Sequence, residues 1–152
     1  MPTLEPVRAD NLETALALRV APEQEHLVRS VVRSLAEAHV HGDRAWPRVV
    51  VDDDGAVVAF VMAFVDSSWD DDPADLRSGL WRLVVDQPRQ GHGYGRFAVE
   101  AVCQELRSRG ATWCYVTYHR GAGTPEPFYR TLGFELTGEV SGGQTVARRR
   151  LG

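Results

Sequence analysis

Three glycines within five residues, Gly91, Gly93 and Gly95, stand between an apolar stretch, Leu80–Val85, and an amphipathic one, Tyr94–Arg109. The full run is Pro88-Arg89-Gln90-Gly91-His92-Gly93-Tyr94-Gly95. A strand that empties into such a loop and then into a helix makes a cradle for an anion. Glycine lets the backbone turn sharply and approach a ligand closely. The unpaired N–H groups of the first helical turn then face the ligand, with a partial charge of about +0.5 from the helix dipole. The chemistry expected here is the binding of a phosphate or pyrophosphate, and so of a phosphorylated cofactor. On spacing alone, Tyr129, within Phe128-Tyr129-x-x-Leu132-Gly133-Phe134, reads as a core position on a short helix.

Two phosphate-binding patterns do not fit the loop. A P-loop ends in Gly-Lys-Ser/Thr, whereas Gly95 is followed by Arg96 and Phe97. A dinucleotide fingerprint needs a glycine where Arg96 stands. It also needs an acid at the end of the next strand, where Tyr115 and His119 are found instead.

The elements that must hold these residues follow from periodicity and turn chemistry. Thr3–Arg8 reads as a first strand. Asp10 with Glu13 reads as a capping start for a helix over Asn11–Leu18. Pro22 opens a second helix that runs to about His39 on the spacing of Leu27, Val28, Val31, Val32, Leu35 and Ala38. His41–Pro47 reads as a loop. Arg48–Val51 and Ala56–Val65 flank the hairpin signal Asp53-Asp54-Gly55. Asp66–Gly79, acidic and containing Pro73, reads as a loop. Leu80–Val85 is a strand, Tyr94–Arg109 a helix ended by Gly110, and Thr112–Tyr118 a strand. Arg120–Pro125 connects to a short helix over Glu126–Leu132. Phe134–Thr137 and Gln144–Leu151 close the chain as a hairpin around Ser141-Gly142-Gly143. The order β-α-α-β-β-β-α-β-α-β-β predicts an α/β (mixed α+β) fold: one mixed, twisted sheet with helices on both faces.

The 152 residues are expected to form a single domain with its own core. Apolar and charged fractions of 43% and 25% are ordinary, and a net charge of −4 gives no reason to expect nucleic acid. Cys103 and Cys114 read as small buried residues rather than a disulfide framework. The N-terminus has no signal-peptide pattern, and no apolar run has the length of a membrane span. A cytoplasmic protein that engages neither membrane nor nucleic acid, and carries no metal, is the expectation.

Gln90-x-x-Gly93-x-Gly95 after a strand resembles the acetyl-CoA signature of the GNAT superfamily of N-acetyltransferases, Gln/Arg-x-x-Gly-x-Gly/Ala. Phe128-Tyr129-x-x-Leu132-Gly133-Phe134 resembles that superfamily's downstream helix-and-turn element, and the element order from Thr3 to Leu151 is similar as well. Locally the chain resembles the bacterial spermine/spermidine (diamine) acetyltransferases. The segments are Ser34-Leu35-Ala36-Glu37-Ala38, Trp81-Arg82-Leu83, Gly91-x-Gly93-Tyr94-Gly95 and Phe134-Glu135-Leu136-Thr137-Gly138-Glu139. The resemblance implies the GNAT fold, acetyl-CoA as co-substrate, and acetyl transfer to a primary amine by direct attack in a ternary complex. It implies a polyamine, diamine or similar small-molecule amine as acceptor, and a homodimer, for which Val140 and Val146 of the closing strands offer an edge.

By the same resemblance, Gln90, Gly91, His92, Gly93, Tyr94 and Gly95 seat the pyrophosphate. Strand groups of Leu83, Val84 and Val85 pair with the pantetheine arm. Such a transfer needs an amine freed of its proton, a donor for the oxyanion and a proton for the departing thiolate. Tyr129 is the catalytic acid that the resemblance implies. Many family members place a Glu on the strand before the loop; this strand offers Trp81 and Arg82. His119, Glu23, Glu37 and a water chain remain candidate bases. Gly121-Ala122-Gly123-Thr124 stands where an Asn often touches the cofactor. The acidic segment Asp66–Asp72, with Glu23, Glu25 and Glu37, suits a polycation, and equally suits a solvated loop. Two alternatives stay open. One is an acetyltransferase for an amino-bearing antibiotic or a protein N-terminus, and the other is an acyl-CoA-binding module without turnover.

Overall fold

A computed structural model describes residues 1–121 and 123–152. Ala122, in the connector expected over Arg120–Pro125, lies outside the described residues. The strands are β1 (Thr3–Glu5), β2 (Ala45–Val51), β3 (Val57–Trp69), β4 (Asp72–Val85), β5 (Trp113–Tyr118), β6 (Glu135–Ser141) and β7 (Gln144–Arg150). The α-helices are α1 (Leu12–Leu16), α2 (Val31–His41), α3 (Tyr94–Ser108) and α4 (Glu126–Thr131). All seven strands lie in one sheet, in the order β1-β2-β3-β4-β5-β7-β6. The β4/β5 pair is parallel and the other neighbours are antiparallel. This is the mixed α+β fold that the element order predicted.

Both faces of the sheet are covered. On one face Ala98, Val99, Val102 and Leu106 of α3 meet Val58, Val61 and Val116, with Tyr129 and Leu132 in and after α4 in the same cluster. On the other face Ala15, Leu18 and Val31 meet Val49, Phe60, Met62 and Val84. Phe60, Met62 and Leu106 are fully buried, each such side chain contributing about 1.5–3 kcal/mol. The amphipathic stripe of α3 fixes the glycine loop above the sheet.

Several boundaries differ from the sequence reading. The expected second helix is broken: Pro22–Leu27 forms a 3-10 turn, Val28 is extended (φ −134°, ψ 152°), and α2 starts afresh behind Ser30. Ser30 Oγ accepts from the Arg33 N–H at 3.2 Å, a serine cap in mid-pattern that the apolar periodicity masked. Asp66–Gly79 is not a loop. The long hairpin of β3 and β4 turns at Asp70 and Asp71, both at positive φ (48° and 63°). Aspartate tolerates that region better than most residues, and tight hairpin turns need it. Pro73 is accommodated where β4 has only β3 beside it, so its missing N–H breaks no second ladder. β1 stops before Pro6, and β2 starts at Ala45 rather than Arg48. Val146 lies in the interior strand β7 and is fully buried, so the exposed edge is β6, with Val140 69% accessible. Among the described residues, no helix is long and apolar enough to cross a membrane.

Candidate active site

Two details of β4 create the site. The first is Gly79. β4 and β5 pair at one register position, Gly79 with Tyr115, and part beyond it. A Cβ on Gly79 would lie 2.0 Å from the Tyr115 carbonyl oxygen, so only glycine lets the two backbones meet there. The second is a bulge. Met62 pairs with Arg82 and Ala63 with Leu80, leaving Trp81 as the extra residue. Strand alternation resets at that point. Trp81 packs with the α1/α2 side and Arg82 reaches Glu37 of α2, so two successive side chains serve one face.

The parting strands enclose a cleft of about 1350 Å³. Leu83, Val85, Gln90, Gly91, Gly93, Tyr94 and Gly95 line it, as does Tyr129. Val84 and His92 are not among the lining residues. Val84 is buried toward α1 and α2, and His92 Nδ1 lies 3.0 Å from the carbonyl oxygens of Arg89 and Gln90 within its own loop. The Asp86 N–H donates back to Val58 of β3 at 3.0 Å. By alternation the backbone groups of Val85 and Leu83 face away from β3, into the gap.

Gly91 and Gly93 hold φ values of +82° and +85°. Gly93 caps α3 with no side chain bonded to the first-turn N–H groups, which leaves them for a ligand. Gln90 Nε2 donates to Val85 O at 3.2 Å and to Gln24 Oε1 at 2.9 Å, pinning the loop to the end of β4 and to the turn before α2. Gly95 faces Phe128, where an added Cβ would meet the ring at 3.3 Å. The glycine loop and the Phe-Tyr helix therefore touch across the cleft.

Tyr129 sits in an aromatic box. It stacks on Tyr118 with centroids 5.5 Å apart and meets Phe128 and Phe134 edge-on at 5.0 and 5.6 Å. Burial, first, and then Cys114 and Tyr118 push its phenol well above the ordinary tyrosine value. It therefore keeps its proton throughout the neutral range. Tyr118, by pattern no more than a strand residue, also lines the cleft. Its hydroxyl is buried with no hydrogen-bond partner, and burial raises its pKa. Its place at the end of β5, where the strands have parted, was the available signal.

The candidate bases separate. His119 is exposed at the cleft wall, 3.2 Å from Gln144 Nε2. Glu23 and Glu37 do not line the cleft; Glu37 is held by Arg82 at 2.7 Å and by Arg33 at 3.4 Å. Of the segment Asp66–Asp72, only Asp71 contributes a carboxylate to the wall. Asp70 accepts the Ser141 hydroxyl, and Asp72 accepts the Ala74 N–H. Arg77 steadies this overhang. Its guanidinium lies 4.7 Å from the Trp69 ring and 4.5 Å from the Tyr115 ring, and it binds Glu139 through two bonds of 3.0 and 2.9 Å. Trp69 is thereby held at the cleft wall. Among the described residues, no group of three or more His, Cys, Asp or Glu side chains is placed to hold a metal ion.

Residues 12–134 match the model of the acetyltransferase (GNAT) family. The chain belongs to that family. Solved structures agree in fold. The ribosomal-protein-S18-alanine N-acetyltransferase of Escherichia coli is 19% identical, with a TM-score of 0.70 over 99% of this chain and 94% of that one. The PaiA N-acetyltransferase of Thermoplasma acidophilum, solved in complex with coenzyme A, is 13% identical, with a TM-score of 0.71 over 99% of each chain. An acetyltransferase from Thermus thermophilus is 21% identical, with a TM-score of 0.72 over 98% of this chain and 96% of that one. No curated protein matches by sequence. This GNAT chain is thus an acetyltransferase whose cleft joins a glycine-loop end to an aromatic phenol.

Proposed function

We propose that this GNAT enzyme moves an acetyl group from acetyl-CoA to a primary amine by direct attack, with both substrates bound at once. The observation that carries this is the meeting of the Tyr129 phenol and the bare first turn of α3 on one cleft. Acetyl-CoA is the co-substrate and supplies an acyl thioester. The residues fit it: the first-turn N–H groups behind Gly93 suit its pyrophosphate, and the outward backbone groups of Leu83 and Val85 suit an extended amide-bearing arm. In this reading the amine nitrogen bonds to the acyl carbon, the carbon–sulfur bond breaks, and the amine proton passes to water. Tyr129 protonates the departing sulfur and later regains a proton from solvent.

Acetyl-CoA is expected to bind in calorimetry and raise the melting temperature, and a primary amine then to release free thiol. Absence of donor binding overturns the reading. Binding with no thiol release from any amine makes the chain an acyl-CoA-binding module instead. The two free, buried cysteines favour a reducing compartment such as the cytoplasm. The β6 edge with Val140 is where a second copy would pair in a homodimer. A polyamine or diamine, the acceptor that the local resemblance favours, has Trp69 and Trp81 as aromatic walls. For carboxylates it has Glu25 and Asp71, set against the guanidiniums of Arg29, Arg44 and Arg82.

A further inference from the structure

Acetyl transfer alone does not account for the charge at the end of the cleft away from the glycine loop. Arg82 comes from the β4 bulge, Arg29 from the segment leading into α2 and Arg44 from the turn that follows it, so three separate elements each bring a guanidinium to the cleft lining. Arg82 is 13% accessible. Its Nη2 donates to Glu37 at 2.7 Å and its Nη1 to the Trp81 carbonyl at 3.3 Å, while its Nε is buried with no hydrogen-bond partner. A buried donor left bare costs free energy unless an acceptor arrives. Burial, first, pulls the Arg82 pKa down. Glu37 opposes this, and the like charges of Arg29 and Arg33 add to it. Glu37 is the carboxylate that answers Arg82, and it is shared with Arg33. Among the described residues, neither Arg29 nor Arg44 has an ion-pair partner.

We propose that the acceptor is an amine that also carries an oxyanion, a carboxylate or phosphonate-type group, seated on Arg82, Arg29 and Arg44. This rests on the acetyl-transfer reading above and names the acceptor class within it. A guanidinium presents its donors in a planar fork that matches such a group. The oxyanion would offset positive charge that Glu37 leaves unbalanced. It would also turn the amine end of a short acceptor toward Tyr129. A polycation placed against these guanidiniums would meet like charge.

The test uses the full chain with acetyl-CoA and amines matched in length: 4-aminobutanoate, 3-aminopropylphosphonate, butylamine and 1,4-diaminobutane, together with the common α-amino acids. Release of free thiol gives kcat/KM for each. Oxyanion-bearing amines are expected to exceed the neutral amine by about tenfold or more. Arg82→Gln is expected to raise KM for the favoured acceptor about tenfold, with acetyl-CoA affinity held. Arg82 packs against the core, so the exposed Arg29→Gln and Arg44→Gln provide an independent check and are expected to raise the same KM. A second readout needs no turnover: the favoured acceptor raises the melting temperature of the CoA-saturated protein, and the arginine variants reduce that shift. Preference for the diamine or the neutral amine overturns the proposal, as does a preference that survives all three substitutions. Weakened acetyl-CoA binding in these variants also overturns it, because the guanidiniums would then be meeting the donor's phosphates. Thiol release without charge preference removes this inference and leaves acetyl transfer standing. Donor binding with no thiol release from any amine removes both.

Discussion

At the glycine-loop end of the cleft, the groups offered to a ligand belong to the backbone: the first-turn N–H groups behind Gly93 and the outward strand groups of Leu83 and Val85. At the opposite end they are side chains on separate elements, with Arg82 from the β4 bulge, Arg29 before α2 and Arg44 after it. Backbone groups are fixed by the fold and cost little ordering when they bind, but they read only shape and polarity. Long side chains lose rotamer freedom on binding and can distinguish one charge from another. In the proposed reading the glycine-loop end therefore suits one invariant donor, the arginine end can be retuned for the acceptor without disturbing the sheet, and Tyr129 lines the cleft they share.

The sharpest way to break this contrast is at Gly79, because both ends depend on where β4 and β5 part. Gly79→Val places carbon where the Tyr115 carbonyl oxygen already lies, and a loss of about 3 kcal/mol or more in urea unfolding is expected. Near wild-type stability would show that the close approach does not set the cleft. Next in size is Tyr129→Phe. Turnover is expected to fall about a hundredfold or more while calorimetric affinity for acetyl-CoA holds, which would place the phenol between the two ends and in neither. Its pH profile carries a sign. The protonated phenol is the active form, and burial raises its pKa, so Tyr129 causes no loss of kcat near pH 10, where an ordinary tyrosine is about half ionised. Unchanged turnover would make Tyr129 a core residue. The smallest effect is expected at Gly93→Ala. Its φ of +85° strains any other residue by about 1–2 kcal/mol. Donor affinity should weaken several-fold while acceptor KM stays put; a change in acceptor KM would show that the two ends are coupled through the loop.

The same contrast explains what the sequence revealed. Backbone-built features leave local marks: Gly91, Gly93 and Gly95 announced the turn and the helix start, and the apolar period of α3 announced its buried face. The element order was legible for the same reason. Features carried by one or two residues, or by distant partners, were not. Ser30 broke a helix whose apolar spacing ran on regardless, because a cap is one residue and periodicity is an average. Asp70 and Asp71 read as part of a solvated loop, although aspartate at positive φ is also the means of turning a long hairpin. The bulge that sends Trp81 and Arg82 to one face exists only in the pairing of β3 with β4. Arg29, Arg44 and Arg82 lie far apart in sequence and become neighbours of one cleft only when α2 folds over β4.

The single contact between Gly79 and Tyr115 has a colloidal consequence. Beyond it, β4 and β5 each present an unpaired edge, and such edges are templates on which another chain can add. Here they face each other inside a gap, shielded from a second protein molecule but open to a narrow extended guest. The place where the sheet is incomplete is thus also where the protein is most in need of a companion. Its shelf life in dilute buffer should track donor occupancy, as though the ligand were a missing strand lent to the sheet between turnovers.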